Sequence, residues 1–164
     1  MSTRAGDELV ARGLGSCIGL ALVDRFAGVV GLAHIVLPQS GEADCEPGKF
    51  ANRAVPVLID RVLTAGASRR RLEAVLAGGA RMFELGELDI GARNEEAVRA
   101  GLAAFGLSVR ASETGGSRGR TMRVEVGSCT ITVKEAGGRQ TTLLDGSAGA
   151  ARRRAARTLE GAQR

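Results

Sequence analysis

The sequence predicts an α+β fold. Short apolar runs, separated by turn residues, read as buried strands. Two longer stretches carry apolar residues at helical spacing. Glycine is abundant, 24 of 164 residues, and it clusters at Gly13/Gly15, Gly78/Gly79, Gly115/Gly116 and Gly137/Gly138. A turn-rich α+β chain needs positive φ or close backbone approach at such places.

The elements follow in order. Leu9 to Ala11 reads as a short strand, and Gly13-Leu14-Gly15-Ser16 as a turn. Cys17 to Val23 is a mostly apolar run ending at Asp24, and Val29 to Leu37 is a second. The residues between them, Asp24 to Gly28, have hairpin length. Paired strands would bring Cys17, at the start of one, to the later part of the other, where His34 lies. Gln39 to Gly48 is polar and reads as a loop.

Phe50, Ala54, Leu58, Val62 and Ala65 recur at helical spacing, with Gly66 as a stop. Pro56 interrupts this helix and predicts a kink or a late start. Arg71 to Leu76 reads as a strand running into Gly78-Gly79. Asn94 is a good helix N-cap, with Glu95 and Glu96 on the positive end of the dipole. Val98, Leu102 and Phe105 form the buried stripe of that helix, and Gly106 ends it. Leu107 to Ala111, Met122 to Val126 and Thr130 to Val133 read as strands. Gly127-Ser128 signals a hairpin between the last two. The domain spans 9–144, between a frayed N-terminus at 1–8 and a tail at 145–164 that is helical from Ala150 to Leu159.

Composition narrows the function classes. The chain is 44% hydrophobic and 25% charged, as in ordinary globular proteins, and long enough to bury a core. Net charge is +5, and from Asp145 onward five arginines oppose two acids. The body therefore lacks a strong electrostatic signature. With no Trp or Tyr to stack bases, a nucleic-acid surface is disfavoured. No apolar run approaches membrane-spanning length, and no signal pattern opens the chain. Three cysteines, Cys17, Cys45 and Cys129, show neither disulfide nor zinc spacing. These features predict a cytoplasmic protein with reduced thiols, needing no metal or organic cofactor.

The candidate chemistry lies in Leu14-Gly15-Ser16-Cys17 and His34-Ile35-Val36-Leu37-Pro38. A thiol in a glycine-rich turn is followed, seventeen residues on, by the single histidine of the chain. A cysteine and a histidine on neighbouring strands can form a thiolate–imidazolium pair, the core of nucleophilic acyl transfer. Taken singly, each has a plainer reading, as a small buried hydrophobe or a structural histidine. Cys45 reads as incidental in a polar loop, and Cys129 as core. Ser16 serves the turn. Thr114 with Gly115 either completes the site wall or forms a turn.

Further segments extend the pattern. They are Gly48-Lys49-Phe50-Ala51-Asn52, Gly78-Gly79-Ala80-Arg81-Met82-Phe83, Ile90-Gly91-Ala92-Arg93-Asn94 and Thr114-Gly115-Gly116-Ser117-Arg118-Gly119-Arg120. In this order the set resembles the chemoreceptor glutamine deamidase family CheD, over roughly residues 9–135. The resemblance implies a layered sandwich of mixed β-sheet with helices packed outside. It implies a cysteine hydrolase that converts glutamine to glutamate on methyl-accepting chemotaxis receptors and that binds the phosphatase CheC. Carried over, Cys17 matches the nucleophile and His34 the general base. Gly15, Ser16, Thr114 and Gly115 would line the site. The family's third catalytic residue is a threonine six positions before the cysteine, where this chain has Ala11. That departure leaves open a binding module that regulates CheC or receptors.

Overall fold

A computed structural model describes residues 1–41, 46, 48–81, 89–147 and 149. Two four-stranded sheets pack face to face, and two helices cover the outer face of one of them. This is the α+β layered sandwich that the sequence and the resemblance predict.

The first sheet has the order β3-β2-β4-β5, with β2 Ile18–Asp24, β3 Val29–Ile35, β4 Glu73–Gly78 and β5 Val109–Thr114. It is mixed: β2 runs antiparallel to β3 and β4, and β4 runs parallel to β5. The second sheet, β1-β6-β7-β8, is antiparallel, with β1 Glu8–Leu14, β6 Arg120–Glu125, β7 Thr130–Glu135 and β8 Gln140–Leu144. The helices are α1 Ala51–Thr64 and α2 Ile90–Ala104.

β2 is the spine. All seven of its residues are buried, because it is central in its sheet and covered on both faces. Its alternate residues sort into two cores, as strand geometry dictates. Ile18, Leu20 and Leu22 join Leu58, Ile59, Val98 and Leu102 of the helices. Ala21 and Val23 join Leu14, Met122, Val124 and Ile131 of the second sheet. The predicted hairpin forms as Asp24↔Val29 and Val23↔Val30 pair around the turn. Asp24 closes that turn. Its carboxylate accepts from the Phe26, Ala27 and Ser68 N–H groups and from the Arg71 guanidinium.

Several expectations are corrected. β1 extends through Gly13 and Leu14, where the sequence predicts a turn, because Leu14 pairs with Arg120 across a register shift. Residues near the N-terminus do not all fray: Ser2 and Val30 exchange backbone hydrogen bonds of 3.1 and 3.2 Å. Helix α1 starts at Ala51, so Pro56 lies inside it without delaying its start. Arg69–Arg71 forms a single 3-10 turn before β4. The strand predicted at Leu107 to Ala111 runs later, to Thr114, because Gly106 and Leu107 finish the helix cap. β8 is a strand that the sequence reading leaves unassigned.

The largest correction concerns Asn94. Helix α2 begins five residues earlier, and Asp89 is its N-cap, accepting from the Ala92 N–H at 3.0 Å. Gly91 permits the earlier start. A Cβ there would sit 2.5 Å from the Gly79 carbonyl oxygen, so only glycine lets the first turn lie on that backbone. Asn94 is thus a buried helix-interior residue. Cys45, Met82, Phe83 and the tail beyond 149 lie outside the described residues.

Candidate active site

One end of the first sheet gathers the candidate residues. Cys17 immediately precedes β2, His34 is next to last in β3, Gly78 ends β4 and Thr114 ends β5. The antiparallel and parallel pairings bring these four positions to the same edge of the sheet.

Register places the thiol and the imidazole on one face. Gly19 pairs with His34, and Ile18 with Ile35. Cys17 and Gly19 are two residues apart, so their side-chain directions share a face, which is the face turned toward the second sheet. Cys17 packs against that inter-sheet core, as does Leu32, two residues before His34. His34 is therefore the diagonal neighbour of Cys17, a relationship that spans roughly 7–8 Å between backbones and lies within reach of long side chains. Cys17 is half-buried and His34 exposed, so the pair sits where the inter-sheet core opens to solvent.

Backbone hydrogen bonds hold the Gly13–Cys17 segment. The Gly15 N–H bonds the Gly13 carbonyl at 2.9 Å. The Gly79 N–H bonds the Cys17 carbonyl at 2.8 Å, and the Ala80 N–H bonds the Gly15 carbonyl at 2.7 Å. The same segment reaches the other loop, through Gly115 N–H to Gly78 at 2.9 Å and Arg81 N–H to Gly116 at 2.8 Å. Gly15 and Ser16 adjoin Cys17 in the chain, while Thr114 and Gly115 lie one strand further over, joined to the Cys17 segment through Gly78–Arg81. Gly78 requires glycine twice over. Its φ is +110°, and a Cβ would lie 2.1 Å from the Cys17 oxygen.

Two buried polar side chains brace the site, and the sequence reading missed both roles. Arg120 donates to the carbonyls of Gly115 at 2.7 Å and Gly78 at 3.4 Å. Glu113 balances its charge at 3.6 Å. Asn94 donates through Nδ2 to the carbonyls of Ser16 and Val36, each at 2.9 Å. A buried arginine aimed at a glycine loop has no local sequence signal. Asn94 carried a signal, but a misleading one, since asparagine near acids imitates a cap.

Burial pushes the Cys17 thiol up, and the opposing influence is a hydrogen bond from its own backbone N–H. Ala11, six positions before Cys17, is buried between the sheets and paired with Met122. It offers no hydroxyl. Cys129 is buried, as predicted for a core residue.

Beside the Gly78–Gly79 corner lies an open cleft of about 620 Å³, lined by Gly79, Arg81, Asp89, Glu95, Gly116 and Ser117 among others. Arg81 and Asp89 pair across 2.9 Å within it. Among the described residues no helix is long and apolar enough to cross a membrane.

Comparison with known proteins bears on this arrangement. Residues 36–135 match the profile of the family described as CheD chemotactic sensory transduction. A chemoreceptor glutamine deamidase CheD of Thermotoga maritima is 42% identical over 130 residues, 79% of this chain and 83% of that protein. A probable chemoreceptor glutamine deamidase CheD of Symbiobacterium thermophilum is 42% identical over 144 residues, 84% and 87% of the two chains. A third, from Clostridium novyi and also named probable, is 43% identical over 121 residues, 70% and 75% of the two chains.

Proposed function

This chain belongs to the CheD family, and from that premise we propose that it is a protein-glutamine deamidase acting on chemoreceptors, with Cys17 as nucleophile and His34 as its base. The observation that carries this reading is the β2–β3 register, which sets both side chains on one face at the open edge of the inter-sheet core. Family membership supplies the substrate class.

The chemistry starts from the thiol. His34 takes the Sγ proton as sulfur attacks the carboxamide carbon of a receptor glutamine. The carbonyl oxygen gains negative charge and is met by backbone N–H groups of the Gly15–Cys17 turn. The C–N bond then breaks, and His34 returns the proton to the departing ammonia. Water attacks the resulting thioester with His34 again as base, releasing glutamate and restoring the thiol. The protein works in the cytoplasm, where the receptor's signalling helices lie. The charged cleft at Arg81 and Asp89 adjoins the site and suits a polar helix surface. CheC is a further partner in this reading.

The test is mass spectrometry of a receptor cytoplasmic domain incubated with this protein or with its Cys17→Ala form. A glutamine-to-glutamate shift with the native protein alone is the expected result. Deamidation by Cys17→Ala would overturn the assignment.

Ala11 favours a second reading, a CheD-like binding module that regulates CheC or receptors. It has no hydroxyl to hold the imidazole. Native protein that binds receptor or CheC without deamidating, and that gains activity as Ala11→Thr, would establish that reading.

A further inference from the structure

Asn94 is fully buried inside a helix, where asparagine is a poor helix former. Its Oδ1 is buried without a hydrogen-bond partner, which costs stability. Stability alone would favour leucine at such a position. What the asparagine supplies is one amide nitrogen that donates to two carbonyls at once. One carbonyl belongs to Ser16, the residue before the candidate nucleophile, and the other to Val36, two residues past the candidate base.

We propose that Asn94 is a positioning residue, whose single amide sets the peptide plane entering Cys17 and pins the nucleophile and histidine strand ends to each other. The inference rests on the reading of Cys17 and His34 as the reacting pair.

The geometry gives the mechanism. In a trans peptide the C=O and the following N–H point in opposite directions. Holding the Ser16 carbonyl toward α2 therefore turns the Cys17 N–H away from the helix layer. That N–H is the group whose hydrogen bond favours the Cys17 thiolate. The Cys17 carbonyl is anchored separately by Gly79, so both peptide planes around the nucleophile are fixed. Val36 is held a second time, by its own N–H to Lys49 at 2.8 Å. With Ala11 in place of a hydroxyl, constraint on the pair comes from the strand ends.

The test uses Asn94→Leu, which keeps bulk and improves helix propensity, and Asn94→Ala as the second variant. Val98→Ala, one turn along and equally buried, serves as the structural control. The first readout is the pH dependence of Cys17 alkylation by iodoacetamide, located by peptide mass mapping, which needs no substrate. Both Asn94 variants should move the midpoint upward by about half a pH unit or more, and Val98→Ala should not. The second readout is receptor deamidation, where kcat should fall about tenfold or more with KM unchanged. A wild-type alkylation midpoint in a folded Asn94 variant would overturn the proposal, as would a shift of equal size in Val98→Ala. Cys17→Ala runs alongside. If it still deamidates, the catalytic assignment fails, while the alkylation midpoints still decide the role of Asn94.

Discussion

Gly19 stands directly opposite His34 in the β2–β3 ladder, two residues past Cys17 on the same face. A Cβ at this position would lie 2.9 Å from Leu14 Cδ1 and 3.4 Å from Met122 Sδ. The gap that glycine leaves opposite His34 is therefore filled from the second sheet, at a point where that sheet closes on the first.

Gly19→Ala tests that gap. The atom it meets first is the end of a flexible leucine, which can move, so the stability cost should be about 1 kcal/mol. The methyl sits opposite His34 and pushes on Leu14, three residues before Cys17, so deamidation should fall much more than stability. Thermal unfolding and the receptor assay, run on the same preparation, separate the two effects.

Gly78→Ala should be worse on both counts. Here the new Cβ meets backbone, 2.1 Å from the Cys17 oxygen, at a φ of +110°. Neither group can swing aside. A loss of at least about 2 kcal/mol is expected, with Cys17 displaced. Denaturant unfolding measures the loss, and a midpoint unchanged from wild type would contradict the close approach.

The free enzyme should alkylate slowly at neutral pH. The thiolate is the reactive form, and burial holds the Cys17 thiol above its ordinary value of about 8.5. The alkylation curve should therefore lie to the alkaline side of that of a simple thiol. The sign for stability follows. A folded value above the unfolded one stabilises below the unfolded value, and that contribution is lost as pH rises through the folded value. A midpoint below that of free cysteine would point instead to a preformed ion pair.

At the opposite end of β2, Asp24 should govern acid stability. Burial raises its carboxyl, but the Arg71 guanidinium and the N–H groups of Ser68, Ala27 and Phe26 outweigh that and hold it below the usual range. Its contribution is thus complete above about pH 4, the unfolded value, and is lost as pH falls through the lower folded value. Asp24→Ala leaves these donors unmet and should cost about 3–5 kcal/mol, read by urea unfolding at neutral pH. The Cys17 alkylation profile should be unmoved, since the two residues lie at opposite ends of the strand.

Local chemistry made much of this molecule legible. The Asp24–Gly28 hairpin, the span of α1 and the stops at Gly66 and Gly106 follow from periodicity and from residues that tolerate only a few backbone conformations. The hairpin in turn predicts that Cys17 and His34 approach each other. The ordered motifs around them point to the family. These are short-range properties, set by side chains a few positions apart.

The relationships between distant segments needed the packed chain. Asn94 looks like a helix cap from its neighbours in sequence. Gly91 settles against Gly79, the helix begins earlier, and the amide turns inward to bind Ser16 and Val36. Arg120 likewise finds its partners at Gly78 and Gly115 across two strands. The upward push on the Cys17 thiol is of the same kind, because it follows from burial by a second sheet. A buried polar group takes whichever partner packing delivers to it, and packing is a property of the whole chain.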